Sequence, residues 1–206
     1  MKRKIEINNK KYTAECNAFT IMDYRNEFNR DILSDITFIN KYLIDNILLS
    51  EKIKKGEDIS EDLEENNKRM EKFIDILTRI TYIVLFNSND IEDYNNWING
   101  IEKISLEDEW IEEVLELVNL CFINIEVRKE IEKRQGNVNN EEKKEKFSEH
   151  AFISLCLKMH ISISELKLIT YVDVLKILVS FLPETVEKNG TRMATQEEIA
   201  KLVERM

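Results

Sequence analysis

Residues 60–86 have the sequence SEDLEENNKRMEKFIDILTRITYIVLF, and this stretch decides the fold. Ser60 is the predicted N-cap of a helix, and Asp62 and Glu64 follow in its first turn, where the helix dipole favours carboxylates. The pattern predicts a long amphipathic helix whose apolar stripe packs into a helical core. That stripe consists of Leu63, Met70, Phe73, Leu77, Ile80 and Val84.

The residues before this helix predict a short β-hairpin followed by two helices. Ile5, Ile7 and Tyr12 alternate with polar residues around Asn8-Asn9-Lys10, a pattern typical of a tight antiparallel turn. Helices are predicted over residues 18–28 and from Asp31 or Ser34 to about Ile53. The second of these helices is predicted to turn a stripe of spacing three and four toward the core: Ile36, Ile39, Leu43, Ile47 and Leu48.

The residues after the long helix predict further helices and one break in composition. Ser105 is predicted to open the longest helix of the chain, which carries two adjacent apolar lines. Residues 136–147 are almost entirely polar or charged and are the predicted linker. Beyond it, Ser162 and Glu165 match a capping box, Thr170 is predicted to cap a helix that stops at Pro183, and a last helix is predicted over 195–205.

These patterns predict a mainly α fold with an N-terminal β-hairpin, a helical bundle and then a smaller helical module. The predicted domains are residues 1–135 for the hairpin and bundle, 136–147 for the linker, and 148–206 for a C-terminal helical extension. One proline and four glycines in 206 residues exclude Gly-rich phosphate loops and disfavour many-turned β-sandwiches.

Charge and cysteine content narrow the classes of partner. The formal net charge is −10, and basic residues alternate with acidic ones, so the basic face of a nucleic-acid binder is not expected. The three cysteines are widely spaced among apolar neighbours, which is typical of buried thiols in a reducing compartment. No run approaches the roughly 18 apolar residues of a bilayer span. The chain is expected to be soluble and cytosolic.

The sequence offers little for catalysis, cofactor binding or metal binding. Cys156 and His160 are four residues apart and could share one helix face, but two ligands without a second pair do not make a structural zinc site. The acidic clusters at 61–65 and 107–109 lie in predicted first helical turns, where the dipole alone favours them. We therefore expect no catalytic, metal or cofactor residues and no enzyme.

An alternative hypothesis is a DNA-binding transcription regulator that uses the helices of residues 148–183. In a helix-turn-helix the recognition helix would be 170–182, and its exposed side chains would have to read bases. The only basic residue there is Lys176, and Asp173 opposes it. The sequence disfavours this alternative.

Three stretches, in this order, resemble the tail assembly chaperones of tailed phages that infect Gram-positive bacteria. Residues 23–36, with Tyr24, Arg25 and Phe28, are similar to the family's aromatic-Arg-x-x-Phe signature after a hairpin; Asn29 stands where the family usually has Gly. The second stretch is 80–118, with Tyr82, Tyr94-x-x-Trp97 and Trp110-Ile111-x-x-Val114. The third runs from Ile161-Ser162-Ile163-Ser164-Glu165-Leu166 through Leu168-Ile169-Thr170 and Val174-Leu175, and 194–199 resembles the usual ending.

The resemblance implies a non-catalytic role in tail morphogenesis. Such chaperones bind the tape-measure protein in the host cytoplasm, help recruit tail-tube subunits, and are absent from the mature virion. Many exist as a short form and a frameshifted long form, so association with itself or with a shorter form is also expected. On that view residues 1–135 match the short form and 148–206 the extension of the long form.

The candidate partner-binding residues lie on the apolar side of the C-terminal module. They are Leu166, Leu168, Leu175, Leu178 and Phe181. The alternative is that these side chains only pack the small helices of the module together, and the sequence does not decide between the two.

Overall fold

The computed structural model describes residues 1–91, 93–101, 104, 108–135 and 148–182. The predicted fold class is confirmed: the chain is mainly helical and opens with a two-stranded antiparallel hairpin. It forms two compact units. The N-terminal unit comprises residues 2–16 and 20–117, and the C-terminal unit comprises residues 1, 17–19 and 118–206.

The hairpin pairs β1, Lys2–Ile7, with β2, Lys10–Glu15, and places Ile5 opposite Tyr12. The turn residues Asn8 and Asn9 have φ values of 50° and 62°. A two-residue turn with both φ values positive matches the twist of the strands, and asparagine tolerates that conformation. The predicted hairpin is therefore present, with its turn where the asparagines stand.

Five helices follow the hairpin. They are α1, Thr20–Phe28; α2, Ile32–Lys55; α3, Ser60–Phe86; α4, Tyr94–Asn99; and α5, Glu109–Phe122. The Asp31 carboxylate accepts a hydrogen bond from the Leu33 backbone N–H at the start of α2, and Gly56 ends that helix with φ of 72°. Ser60 does not cap α3, since it is already helical; its N–H and hydroxyl both donate to Asp58.

The core of the N-terminal unit lies where α1, α2 and β2 meet α3. Tyr42 of α2 stacks on Phe73 of α3 with ring centroids 4.6 Å apart. From Phe73 onward the α3 stripe is buried, as predicted for Leu77, Ile80 and Val84. Full burial of such side chains is worth about 1.5–3 kcal/mol each, so this half of the α2–α3 pair anchors the unit.

The predicted longest helix, opened by Ser105, differs from the structure. Ser105 lies outside the described residues, and α5 ends at Phe122, before α6 begins at Ile125 and runs to Gln135. The Asn124 side chain accepts a hydrogen bond from the Val127 N–H, which starts a new helix. The longest described helix is α3, with 27 residues.

The C-terminal unit contains the end of α5, then α6, α7 (Glu149–Lys158), α8 (Ile163–Leu166) and α9 (Tyr171–Phe181). The predicted capping box of Ser162 and Glu165 is present, and Thr170 and Asp173 form a second one. The core cluster of this unit consists of Ala18, Phe152, Cys156, Met159, Ile161, Leu166 and Val174.

The unit boundary falls between Leu117 and Val118, inside α5, which is earlier than the predicted boundary. The reason is packing: α6 contacts α9, and the rings of Phe122 and Tyr171 lie 5.9 Å apart. Residues 118–135 thus pack with the C-terminal helices, and the predicted domains, 1–135 and 148–206, stay a prediction. The predicted linker, 136–147, and the predicted last helix lie outside the described residues.

Candidate protein-binding surface

The candidate site is the distal half of the α2–α3 hairpin, residues 43–72, which we call the arm. Polar pairs join its two helices, and Leu49 of α2 is buried with 8% of its surface exposed. Those pairs are Lys52 with Asp62 (2.5 Å), Arg69 with Asp45 (2.6 Å), and the Asn66 amide with the Asn46 side-chain oxygen (2.9 Å). These pairs are partly exposed, and partly exposed pairs are worth about 1 kcal/mol each, so they align the helices without anchoring them strongly.

The arm exposes six large apolar side chains, each with 36–61% of its surface accessible. They are Ile44, Ile47, Leu48, Ile53, Leu63 and Met70. Ile47, Leu48, Leu63 and Met70 belong to the predicted apolar stripes, and the structure leaves them exposed. Exposed single apolar residues are common, but several on adjacent turns of two paired helices mark an interaction surface.

Four of the six exposed side chains, Ile47, Leu48, Leu63 and Met70, belong to stripes that are buried in the other half of the hairpin. On α3 the stripe passes from exposed Leu63 and Met70 to buried Phe73 and Leu77. On α2 it passes from buried Ile36 to Ile47, which is 61% exposed. The contacts of α1, β2 and α4 with α3 supply the cover in the buried half. In the arm the stripe residues Ile47, Leu48, Leu63 and Met70 are exposed.

The arm has nine acidic and six basic residues, and one segment of it is purely acidic. Residues 57–65, EDISEDLEE, contain six carboxylates and no basic residue. The N-terminal unit as a whole has 16 Lys and Arg against 26 Asp and Glu, whereas the C-terminal unit has 14 of each. The net charge of −10 therefore belongs to the unit that bears the arm. Hydrogen bonds from Ser60 lower the pKa of Asp58, and the hydrogen bond to Asp62 raises the pKa of Lys52.

A cleft of about 220 Å³ lies between the two helices of the arm. Its lining is Asp45, Leu48, Leu49, Lys52, Asp62, Glu65, Asn66 and Arg69. This volume is below the roughly 300–1,000 Å³ of small-molecule sites, and the lining consists largely of charged side chains that already pair with one another. The cleft is suited to one inserted side chain rather than to a cofactor.

The first motif stretch, residues 23–36, builds a buried polar corner at the other end of the hairpin. The Tyr24 hydroxyl donates to Asp35 at 2.7 Å, and Arg30 donates two hydrogen bonds to the same carboxylate, at 2.6 and 2.8 Å. Burial, followed by the charge of Asp35, raises the pKa of Tyr24, and the hydrogen bond to Asp35 raises that of Arg30. These residues serve the fold.

Asn29 stands at the position where the resembled family usually has glycine. Its φ is 51°, the left-handed conformation, and its N–H donates to the Arg25 carbonyl at the end of α1. Glycine is the residue that adopts this conformation without strain, and asparagine tolerates it better than other residues do. The substitution is therefore compatible with the backbone found here.

The second motif stretch contributes an aromatic cluster that contacts the first stretch. Tyr82 lies 5.4 Å from Tyr94 and 5.7 Å from Trp97, measured between ring centroids. Phe28 of the first stretch lies 5.0 Å from Tyr94 and 6.1 Å from Tyr82. Edge-to-face and tilted contacts at these distances stabilise a core beyond the area that they bury. The motif residues of both stretches thus meet in one place.

The five predicted partner-binding residues differ widely in burial. Leu166 is fully buried in the core cluster of the C-terminal unit, and Leu178 packs against that cluster. Leu175 is half-buried, Phe181 is 40% exposed, and Leu168 is 78% exposed. Leu166 and Leu178 therefore fit the packing alternative, and Leu168 is the one with a mainly free surface.

The sequence missed the arm because its periodicity resembles that of a core. Ile44 and Ile53 lie off the predicted α2 stripe, and residues 57–65 combine charge with Leu63. Apolar residues on more than one face of a charged hairpin were the signal that could have identified this surface.

Cys156 and His160 are not placed as a metal pair. The Cys156 thiol is fully buried, and burial raises its pKa to about 11. His160 is exposed and ends α7 with φ of 60°. Among the described residues, no group of three or more His, Cys, Asp or Glu side chains is placed to hold a metal ion.

The described residues 148–182 of the DNA-binding alternative contain three exposed lysines, Lys158, Lys167 and Lys176. Lys176 of α9 lies 3.4 Å from Asp173, which already belongs to the capping box of that helix. Within the part of the chain that the structure describes, no helix is both long and apolar enough to cross a bilayer.

No known protein family, curated protein or solved structure matches the chain. The likeness to tail assembly chaperones consequently rests on the three motif stretches themselves.

Proposed function

We propose that this protein is a non-catalytic tail assembly chaperone of the long form. It binds the tape-measure protein in the host cytoplasm, helps recruit tail-tube subunits during tail morphogenesis, and leaves before the virion matures. The order of the three motif stretches motivates the family, and the uncovered apolar face of the arm is the structural observation that carries the role.

The physical argument concerns what a long helical client requires. A tape-measure protein before assembly exposes apolar stripes that would associate with one another in water. A chaperone can cover such a stripe with an apolar face of matching period and keep the complex soluble through charge of one sign. The arm exposes Ile47 and Leu48 on α2 and Leu63 on α3, and the N-terminal unit has ten more acidic than basic residues.

The test is co-expression of the full chain with the tape-measure protein of its own tail gene cluster. We expect the tape-measure protein to be insoluble alone and to co-purify with the chain when both are present. A chain that neither solubilises nor retains it would overturn the proposal. Salt-dependent binding to duplex DNA in a gel-shift assay would instead support the regulator alternative.

Gene context provides a second, independent check. A tape-measure gene directly downstream, or a slippery heptamer near codons 130–150, would support the long-form assignment. A gene that stands apart from every tail cluster would contradict it.

A further inference from the structure

We infer that the chain self-associates through the outer edge of β1, which pairs antiparallel with β1 of a second copy. The inference goes beyond the proposed function and does not depend on it, because it concerns two copies of this chain without a client. It rests on the backbone groups that the hairpin leaves unpaired and on the charges of the side chains beside them.

The turn determines which backbone groups of β1 point away from β2. A two-residue turn closes with a hydrogen bond between the residues on either side of it, here Ile7 and Lys10. Residue pairs of an antiparallel ladder then alternate between hydrogen-bonded and non-hydrogen-bonded. Ile5 therefore bonds to β2, whereas the N–H and C=O groups of Lys4 and Glu6 point to the outer edge of the hairpin.

Thr13 of β2 provides an independent check and closes the opposite edge. It stands opposite Lys4, and its N–H donates to the Asn89 side-chain oxygen at 2.9 Å, while its C=O accepts from the Asn89 amide at 2.7 Å. These groups of Thr13 thus point away from β1, as the alternation requires. Asn89 follows α3, so a residue of the same chain satisfies this edge of β2.

The outer edge of β1 has no such cover in the described part of the chain. Lys4 and Glu6 are exposed, and no hydrogen bond from a described residue reaches their outward backbone groups. An edge strand of this kind presents a row of donors and acceptors with which a further strand can pair. Ile5 and Ile7 are already buried on the inner face, so an added strand would extend the sheet without exposing the core.

The charges at this edge favour a second copy as the occupant. Lysine at an edge usually discourages strand pairing, but a carboxylate directly opposite it gives an attraction instead. If Ile5 lies opposite Ile5 of the second copy across a twofold axis, Lys4 lies opposite Glu6 of the second copy, and the reverse. Both are hydrogen-bonded pairs that each exchange two backbone hydrogen bonds, so this register combines backbone pairing with opposite charges.

The two neighbouring registers are disfavoured by the same side chains. Sliding one strand by two residues keeps the hydrogen-bonding groups facing each other but places Lys4 opposite Lys4, or Glu6 opposite Glu6. Like charges directly opposite each other on a sheet destabilise the pair. The charge pattern of β1 therefore selects one self-complementary register.

The experiment uses the full chain alone and two variants, Lys4→Glu and Glu6→Lys. Sedimentation equilibrium from roughly 1 to 500 µM measures the dissociation constant of the dimer. Salt at about 150 mM screens the net charge of −10 on each copy beyond about 8 Å. We expect the unmodified chain to dimerise and each variant to dimerise about tenfold or more weakly, because both opposite-charge pairs become like-charge pairs.

Mixing the two variants is the sharpest arm of this experiment. In a mixed dimer the carboxylates at positions 4 and 6 of one copy lie opposite the ammonium groups at positions 6 and 4 of the other. Every opposite-charge pair of the register is then restored. An equimolar mixture should therefore associate as tightly as the unmodified chain, although each variant alone associates weakly.

A pair of proline variants tests the backbone hydrogen bonds. Glu6 and Lys11 are opposite each other, so Glu6→Pro removes an outward N–H from β1 and Lys11→Pro removes the matching outward N–H from β2. Glu6→Pro should weaken dimerisation by about tenfold or more, whereas Lys11→Pro is the matched control and should leave it unchanged. Circular dichroism checks that both variants keep their helical content.

Hydrogen exchange locates the paired edge. The amides of Lys4 and Glu6 should exchange more slowly as the chain concentration rises and the dimer forms. The amide of Thr13 already donates to Asn89, so its exchange should not depend on dimerisation.

Four outcomes would overturn the inference. They are a chain that stays monomeric over the whole concentration range, a dimer that the charge variants do not weaken, a mixture of the variants that associates no more tightly than either alone, and slow exchange of the Lys4 and Glu6 amides in a monomer. The last would make a segment of the same chain the occupant of the edge. Binding of the tape-measure protein is measured separately by co-purification, so failure of either proposal leaves the other standing.

Discussion

The two halves of the α2–α3 hairpin share the same helices and the same apolar spacing, yet one half is a core and the other is a surface. In the core half, residues 32–42 and 73–86, Phe73 and Leu77 are buried against neighbouring elements. In the arm, Leu63 and Met70 of the same stripe face solvent. The difference teaches that spacing determines which face of a helix is apolar, whereas other elements determine whether that face is covered.

The largest expected contrast comes from truncating one residue in each half of the α3 stripe. Leu77→Ala should reduce the free energy of unfolding by about 2–5 kcal/mol, because the side chain is fully buried and its removal leaves a cavity. Leu63→Ala should change it by about 0.5 kcal/mol or less, because much of that side chain already contacts water. Urea unfolding followed by circular dichroism measures both. If both substitutions lowered the free energy of unfolding equally, Leu63 would be buried in solution, and the two halves of the hairpin would not differ in burial.

The second contrast concerns aspartates that pair with arginines. Asp35→Ala should cost about 2–4 kcal/mol, because it leaves the Tyr24 hydroxyl and Arg30 without their shared acceptor in a largely buried place. Asp45→Ala removes the partner of Arg69 on the arm and should cost about 1 kcal/mol or less. Thermal unfolding of the two variants, measured side by side, compares their losses of stability. A cost for Asp45→Ala as large as that for Asp35→Ala would mean that the arm depends on its ion pairs.

The fold could be predicted from the sequence where local chemistry decides it. Asn8-Asn9 predicted the hairpin turn, Ser162 with Glu165 predicted a capping box, and the 3.6-residue period predicted α3. Whether an apolar helix face is buried could not be predicted, because burial depends on which elements distant in sequence pack against that face. Periodicity therefore does not distinguish Ile47 and Leu48, which are exposed, from Leu166, which is fully buried.

The break after α5 was missed for a related reason. The apolar lines of residues 110–125 continue at helical spacing through Phe122, and nothing in the period ends there. The structure ends the helix because Asn124 caps a new one, and Phe122 packs against Tyr171, far away in sequence. Both the unit boundary and the site therefore depend on long-range packing.

The third prediction concerns the pH dependence of stability, to which the core half of the hairpin should contribute through Tyr24 and the arm should not. Tyr24 belongs to the core half's polar corner and has a raised pKa, whereas the arm contains no tyrosine. The unfolded tyrosine ionises near pH ~10 and the folded one keeps its proton, so stability is fully present below that pH and falls above it. Urea midpoints measured from about pH 8.5 to 11 should therefore decline. Tyr24→Phe should make the decline shallower, and an unchanged slope would show that Tyr24 does not contribute to it.

The smallest expected effect on stability comes from substituting two residues that have positive φ. These substitutions also test whether the arm opens while the rest of the unit stays folded. Asn29 ends α1 beside the core half, and Gly56 ends α2 at the tip of the arm, with φ values of 51° and 72°. Alanine at either position should cost about 1 kcal/mol, because an L side chain is strained there. At Gly56 an added Cβ meets no atom within 4 Å, so the cost there is in the backbone alone.

Even if Asn29→Ala and Gly56→Ala lower the free energy of unfolding equally, the two variants should show different patterns of amide hydrogen exchange. If the arm opens locally while the core half stays folded, Asn29→Ala destabilises the native and arm-open states alike, since Asn29 remains folded in both. Arm amides should then exchange as in the unmodified chain, and only amides that need global unfolding should exchange about fivefold faster. Gly56→Ala strains only the state with a closed arm, so it should speed both sets by about fivefold. If Asn29→Ala accelerated the arm amides as well, the hairpin would unfold as one unit, and its two halves would differ in cover but not in stability.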